Sequence, residues 1–113
     1  MTLKEIASHL NLEIITGGDH LSLEVKDGYT SDLLSDVIAH APPACLWITL
    51  QIHVNIVAVA KLKDLAGIVI VNGRQPDEET KQKAREERIP LLLTKETAFR
   101  ISGRLYQLLA KGR

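Results

Sequence analysis

The sequence predicts an α/β fold, three-layer-like, with a mostly parallel sheet and helical crossovers plus an N-terminal helix and a short strand pair. Three observations carry this. The runs 45–50 (CLWITL), 67–71 (GIVIV) and 90–93 (PLLL) are apolar without alternation, the pattern of strands buried on both faces. The stretches between and after them have helical composition and spacing. Strands separated by helices in this rhythm are parallel, with right-handed crossovers.

Each element has its own local reason. Residues 2–11 (TLKEIASHLN) form an amphipathic helix: Thr2 and Glu5 have capping-box spacing, and Leu3, Ile6, Ala7 and Leu10 share a face. Residues 12–16 (LEIIT) and 21–25 (LSLEV) read as short strands joined by a turn at Gly17, Gly18 and Asp19, so a hairpin is expected. A second helix is expected over 30–41, capped by Thr30 or Ser31, with Asp32 at its positive end and Leu33, Leu34, Val37 and Ile38 inward. The prolines at 42 and 43 stop it. Residues 55–64 form a helix that is apolar almost all round, with Asn55 suited to cap it. Residues 76–88 form a polar helix with Pro76 in its first turn and acids after it. Residues 96–112 close the chain as a helix with Ala98, Ile101, Leu105, Leu108 and Leu109 inward, and Thr94 suited to cap it.

With 113 residues, the chain has the length of a single domain spanning 1–113. It is 45% hydrophobic, with a formal net charge of zero. A nucleic-acid or membrane-surface binder is expected to carry a basic excess, so neither partner is favoured. The lone Cys45 excludes an internal disulfide; with no signal-like start and no long apolar span, the expected compartment is the cytoplasm. Cys45 lies in an apolar run and reads as a small core residue.

In an open parallel sheet, ligands bind beyond the carboxyl ends of the strands, where helix N-termini attract anions. Three such ends carry polar groups: Gln51, His53 and Asn55; Asn72, Gly73 and Arg74; Thr94 and Lys95. Together they suit a small anionic ligand, a nucleotide phosphate among the candidates. Capping and turn chemistry account for Asn55, Thr94 and the Asn72–Gly73 pair singly, whereas a turn has no need of the Arg74 guanidinium. A further candidate is 25–34, where Tyr29 offers a ring for stacking and Asp32 a carboxylate. Catalytic signals are weak. There is no phosphate-loop or dinucleotide fingerprint. No metal-ligand spacing links His9, His20, His40 or His53 to other ligand types, so no metal or cofactor is expected. His53 could serve as a general base, but the sequence reveals no partner to orient it.

The stretches 25–60 (including GYTSDLLSDV and WITLQIHVNIVAVA) and 65–109 (including GRQPDEE and IPLLLT), with 3–18 before them, resemble the DRTGG domain, a small α/β module related to the N-terminal domain of HPr kinase/phosphorylase. The resemblance spans nearly the whole chain, although the literal D-R-T-G-G string is absent and 71–76 (VNGRQP) keeps only a Gly-Arg. It implies a regulatory or assembly module, of the kind that accompanies phosphotransacetylase, CBS-containing pyrophosphatases and HPr kinase. The kinase phosphate loop belongs to a C-terminal domain that these 113 residues do not resemble, so no kinase activity is expected of them. Standalone relatives resemble proteins encoded near iron-only hydrogenase subunits, so the resemblance also implies a redox-linked regulatory role. The expectation is a non-enzymatic regulatory domain that binds a small anionic ligand. The alternative is an assembly module, a homodimer or a companion of an enzyme subunit, using the strand pair and the second helix as its surfaces.

Overall fold

The computed structural model describes residues 1–111. The three unalternated runs become β3 (Cys45–Thr49), β4 (Gly67–Ile70) and β5 (Leu91–Leu93), and every residue in them is buried. Two further strands, β1 (Glu13–Thr16) and β2 (Asp27–Thr30), complete a five-stranded sheet of order β1-β5-β4-β3-β2. β2 through β5 run parallel, and β1 lies antiparallel against β5 at the opposite edge from β2.

Helices α1 (Leu3–His9) and α5 (Ala98–Lys111) cover one face; α2 (Leu34–His40), α3 (Asn55–Leu62) and α4 (Glu78–Glu86) cover the other. Strand alternation sorts the core between them. Leu46, Ile48, Val69 and Leu92 meet α1 and α5, while Cys45, Trp47, Ile68, Ile70 and Leu91 meet α2, α3 and α4. This is why the runs show no polar alternation: both faces of the sheet are dry. Trp47 is fully buried, and its indole N–H donates to the Ser31 carbonyl at 2.8 Å. The α1 capping box forms as the Thr2–Glu5 spacing predicts.

The expected hairpin does not form. β1 is taken by β5, with Glu13 opposite Leu93 and Ile14 opposite Leu92. Gly17 turns the chain in the left-handed region (φ 81°), where a Cβ would stand 2.6 Å from the Pro90 Cα. A 3-10 turn follows at Gly18–His20. Residues 21–25 then pass α1 instead of pairing with β1. Carbonyls of Leu23 and Leu21 accept from the N–H groups of Leu3 (2.8 Å) and Lys4 (2.9 Å), donors that the first turn of a helix leaves without intrahelical partners. Only Glu24 makes a bridge there, to Thr2. The strand that joins the sheet is the next segment, Asp27–Thr30, which the sequence presents as a turn. Gly28 lets α5 lie close to it, since a Cβ there would come within 2.8 Å of the end of the Leu105 side chain.

Helix boundaries also differ. α2 begins at Leu34, so neither Thr30 nor Ser31 caps it; Ser31 accepts instead from the Leu33 N–H at 3.2 Å, within the loop that leaves β2. Val37 is fully buried and Leu34 partly so, but Leu33 is 64% and Ile38 41% exposed, against the inward expectation. Asn55 is the first residue of α3 and not its cap. Backbone carbonyls close that turn, with Ile56 N–H donating to His53 and Val57 N–H to Val54. α4 starts at Glu78, which leaves Pro76 outside its first turn. Thr97, not Thr94, caps α5, its hydroxyl accepting from the Arg100 N–H at 3.3 Å. Gly112, which ends the sequence reading of that helix, lies outside the described residues.

Candidate functional site

Because β2 to β5 are parallel, the loops after all four open on one edge of the sheet. The sequence-predicted residues are distributed there in three groups.

The first is a latch of mutual hydrogen bonds between the β2, β3 and β4 loops. One Asp32 carboxylate oxygen accepts from the Thr49 hydroxyl (3.0 Å) and from the Leu50 N–H (2.7 Å). The Gln51 side-chain amide donates to the Asp32 carbonyl (2.8 Å), and the Gln51 N–H donates to the Thr49 hydroxyl (3.1 Å). A guanidinium nitrogen of Arg74 donates to the Leu50 carbonyl at 2.6 Å. Asp32, Gln51 and Arg74 therefore meet, but they hold one another's loops.

The second is a pair. His53 Nδ1 lies 2.7 Å from an Asp77 carboxylate oxygen. This corrects the expectation that His53 has no orienting partner: Asp77 immediately precedes α4, and the packing of α4 beside α3 brings it to the β3 loop. Both side chains are substantially exposed, at 67% and 47%. Asn55, two residues on at the start of α3, is exposed.

The third is a cleft of about 390 Å³ between the β4 and β5 loops, the end of α1 and α5. Gly73, Gln75, Thr94, Lys95, Glu96 and Arg104 line it. Asn72 (φ 61°) and Gly73 (φ 66°) occupy successive left-handed positions, and their N–H groups donate to the carbonyls of Glu96 (3.0 Å) and Thr94 (2.9 Å). That turn clamps the β4 loop onto the β5 loop and forms one wall. Arg104 forms the other, paired with Glu96 and donating to the His9 carbonyl at 3.2 Å. Lys95 is exposed at the mouth.

Tyr29 belongs to none of these. It is half-buried against the α2–α3–α4 core, and its hydroxyl donates to Asp36 at 2.9 Å. Asp36 in turn lies 3.1 Å from His40 Nδ1. Hydrogen bonds from Ser31 and Tyr29, with a contribution from His40, hold the Asp36 carboxyl below its ordinary range; the same Asp36 bond pushes the Tyr29 phenol up. Burial raises the Cys45 thiol to about 11, so it is an inert core group.

Sequence reasoning missed Arg104, Glu96, Gln75 and Asp77. A signal existed for Arg104: it falls between Ile101, Leu105 and Leu108 on the inward side of α5, where a cation needs a partner. Among the described residues no three His, Cys, Asp or Glu come together in a way that could hold a metal ion, and no helix is long and apolar enough to cross a membrane.

No family model matches the sequence, and no curated protein matches it. The fold does have a counterpart among solved structures. It superposes with a TM-score of 0.71 on the crystal structure of the CBS and DRTGG domains of the regulatory region of Clostridium perfringens pyrophosphatase, complexed with the activator diadenosine tetraphosphate. Sequence identity is 15%, and the match covers 90% of this chain and 44% of that one, so this chain spans less than half of its counterpart.

Proposed function

We propose that this chain is a non-catalytic regulatory domain of the DRTGG type, and that it binds a small anionic ligand, a nucleotide polyphosphate in the first instance, in the cleft between the β4 and β5 loops. The observation that carries the reading is the cleft itself. Of the three groups on the carboxyl edge, it alone combines an open volume with an exposed cationic side chain, Lys95; Arg104 in its wall is paired with Glu96, and Glu13 also lines it. Gly73 and Thr94, both expected ligand residues, lie in it. Likeness in fold to a regulatory region whose activator is diadenosine tetraphosphate supports the ligand class. Arg74 sits between two cleft residues on the same loop and adds positive charge beside it while its guanidinium holds the latch.

The test is a thermal-shift and calorimetric titration with inorganic phosphate, AMP, ADP, ATP and diadenosine tetraphosphate, on the wild-type chain and on Lys95→Ala. A ligand that binds only the folded state adds roughly 2.7 kcal/mol of stability at about a hundred times its Kd. A shift that falls with added salt and is lost in Lys95→Ala supports the cleft. Absence of response to every phosphate compound would remove the proposal.

A further inference from the structure

The outer side of α5, away from the cleft, combines a projection with a hollow. Phe99, the chain's single phenylalanine, is 87% exposed, and Tyr106 on the same helix is 75% exposed. Seven residues make nearly two turns, so the rings share one stripe, roughly 10 Å apart. Gly103 lies between them with nothing within 4 Å of where its Cβ would stand. Beside Tyr106, a groove of about 210 Å³ opens between α5 and the edge strand β2, lined by Thr30, Ile48, Leu105, Tyr106, Leu109 and Ala110. The Thr30 and Ser102 hydroxyls bridge β2 and α5 at 2.7 Å within it, and Asp27 stands at its rim.

We propose that this face is a two-fold interface between two copies of the chain, in which Phe99 of each copy enters the α5–β2 groove of the other. The register follows from helix geometry. Two α5 helices crossing antiparallel near Gly103, where the missing side chain permits close approach, bring position 99 of one opposite position 106 of the other. An isologous contact repeats itself, so one crossing seats both rings at once. Size agrees: an apolar cavity of about 150 Å³ accepts a benzene ring, and the groove is somewhat larger. Charge agrees as well. Arg100, next to Phe99, is exposed and cationic, and Asp27 is among the groove residues that it would approach. With a formal net charge of zero, no overall repulsion opposes the approach. Two aromatic rings per copy, at about 150–250 Å² each, bury less than the roughly 800 Å² per partner of a tight complex. The association is therefore reversible and concentration-dependent.

Sedimentation velocity on the full chain from about 10 µM to about 1 mM tests this. The wild type is expected to shift from monomer to dimer across that range. Phe99→Ser removes the ring and Ala110→Trp plugs the groove. Both positions are exposed, so the fold survives, and each variant should weaken association at least about tenfold. An equimolar mixture of the two restores one ring-in-groove contact and should sediment faster than either variant alone. A wild-type chain that stays monomeric throughout overturns the proposal. So does a dimer that survives Phe99→Ser, which would assign the contact to another surface such as exposed Leu33 and Ile38 on α2, and so does a mixture no heavier than its parts.

Discussion

The latch around Leu50 and the cleft beside Thr94 lie on the same edge of the same sheet, yet they treat their polar groups in opposite ways. In the latch, Asp32, Thr49, Gln51 and Arg74 turn inward on three loops, and each side chain has a partner within the protein. In the cleft, backbone groups do the clamping. Asn72 and Gly73 N–H groups hold the β5 loop, which leaves Lys95 at the mouth without a structural task in holding the loops together. A ligand site needs a rigid rim and uncommitted charge. Under the proposed function, the latch would supply the rigidity and Lys95 the uncommitted charge.

Substitutions separate the two. The largest expected effect is on stability: Asp32→Ala leaves the Leu50 N–H unpaired and strips the almost fully buried Thr49 hydroxyl of its acceptor, costing roughly 2 kcal/mol. Chemical denaturation measures it, and a loss below half that value would mean the latch is only a surface contact. Arg74→Ala removes one charge-assisted bond at an exposed side chain and should cost about 1 kcal/mol while weakening, not abolishing, the phosphate response. Lys95→Ala should change stability by less than about 0.5 kcal/mol yet remove that response. If Lys95→Ala instead destabilised the chain as Asp32→Ala does, the division between holding and receiving would fail. The smallest effect is on pH dependence. The Asp36 carboxyl is held below its ordinary range, so its stabilising contribution is complete above that range and is lost as pH falls through the depressed value. Asp36 anchors Tyr29 on β2, which feeds the latch and not the cleft. Asp36→Asn should therefore flatten the acid limb of a plot of melting temperature against pH.

The difference between what was legible and what was not follows chain distance. β3, β4 and β5 were readable because each is buried on both faces, and that demand writes itself into consecutive residues. The capping box of α1 was readable because donor and acceptor are three residues apart. β2 was not: DGYT carries turn chemistry, and it becomes a strand because β3 offers a parallel edge and Gly28 lets α5 approach. Residues 21–25 alternate like a strand but serve the first turn of α1. Apart from Tyr29, the candidate residues lie in the loops at the carboxyl edge, and their partners were hidden for the same reason: Asp77 is 24 residues from His53, and Arg74 is 24 from Leu50.

By itself, the sequence determined the α/β class, the three central strands, the polar carboxyl edge and the inert setting of Cys45, since each rests on composition or spacing within a few residues. Only the tertiary structure decided which strand flanks β3, that β1 closes the sheet antiparallel on β5, and which polar groups on the edge are consumed by the latch and which line an open cleft. Those outcomes depend on groups far apart in the chain, which pair through space once the hydrophobic runs have packed.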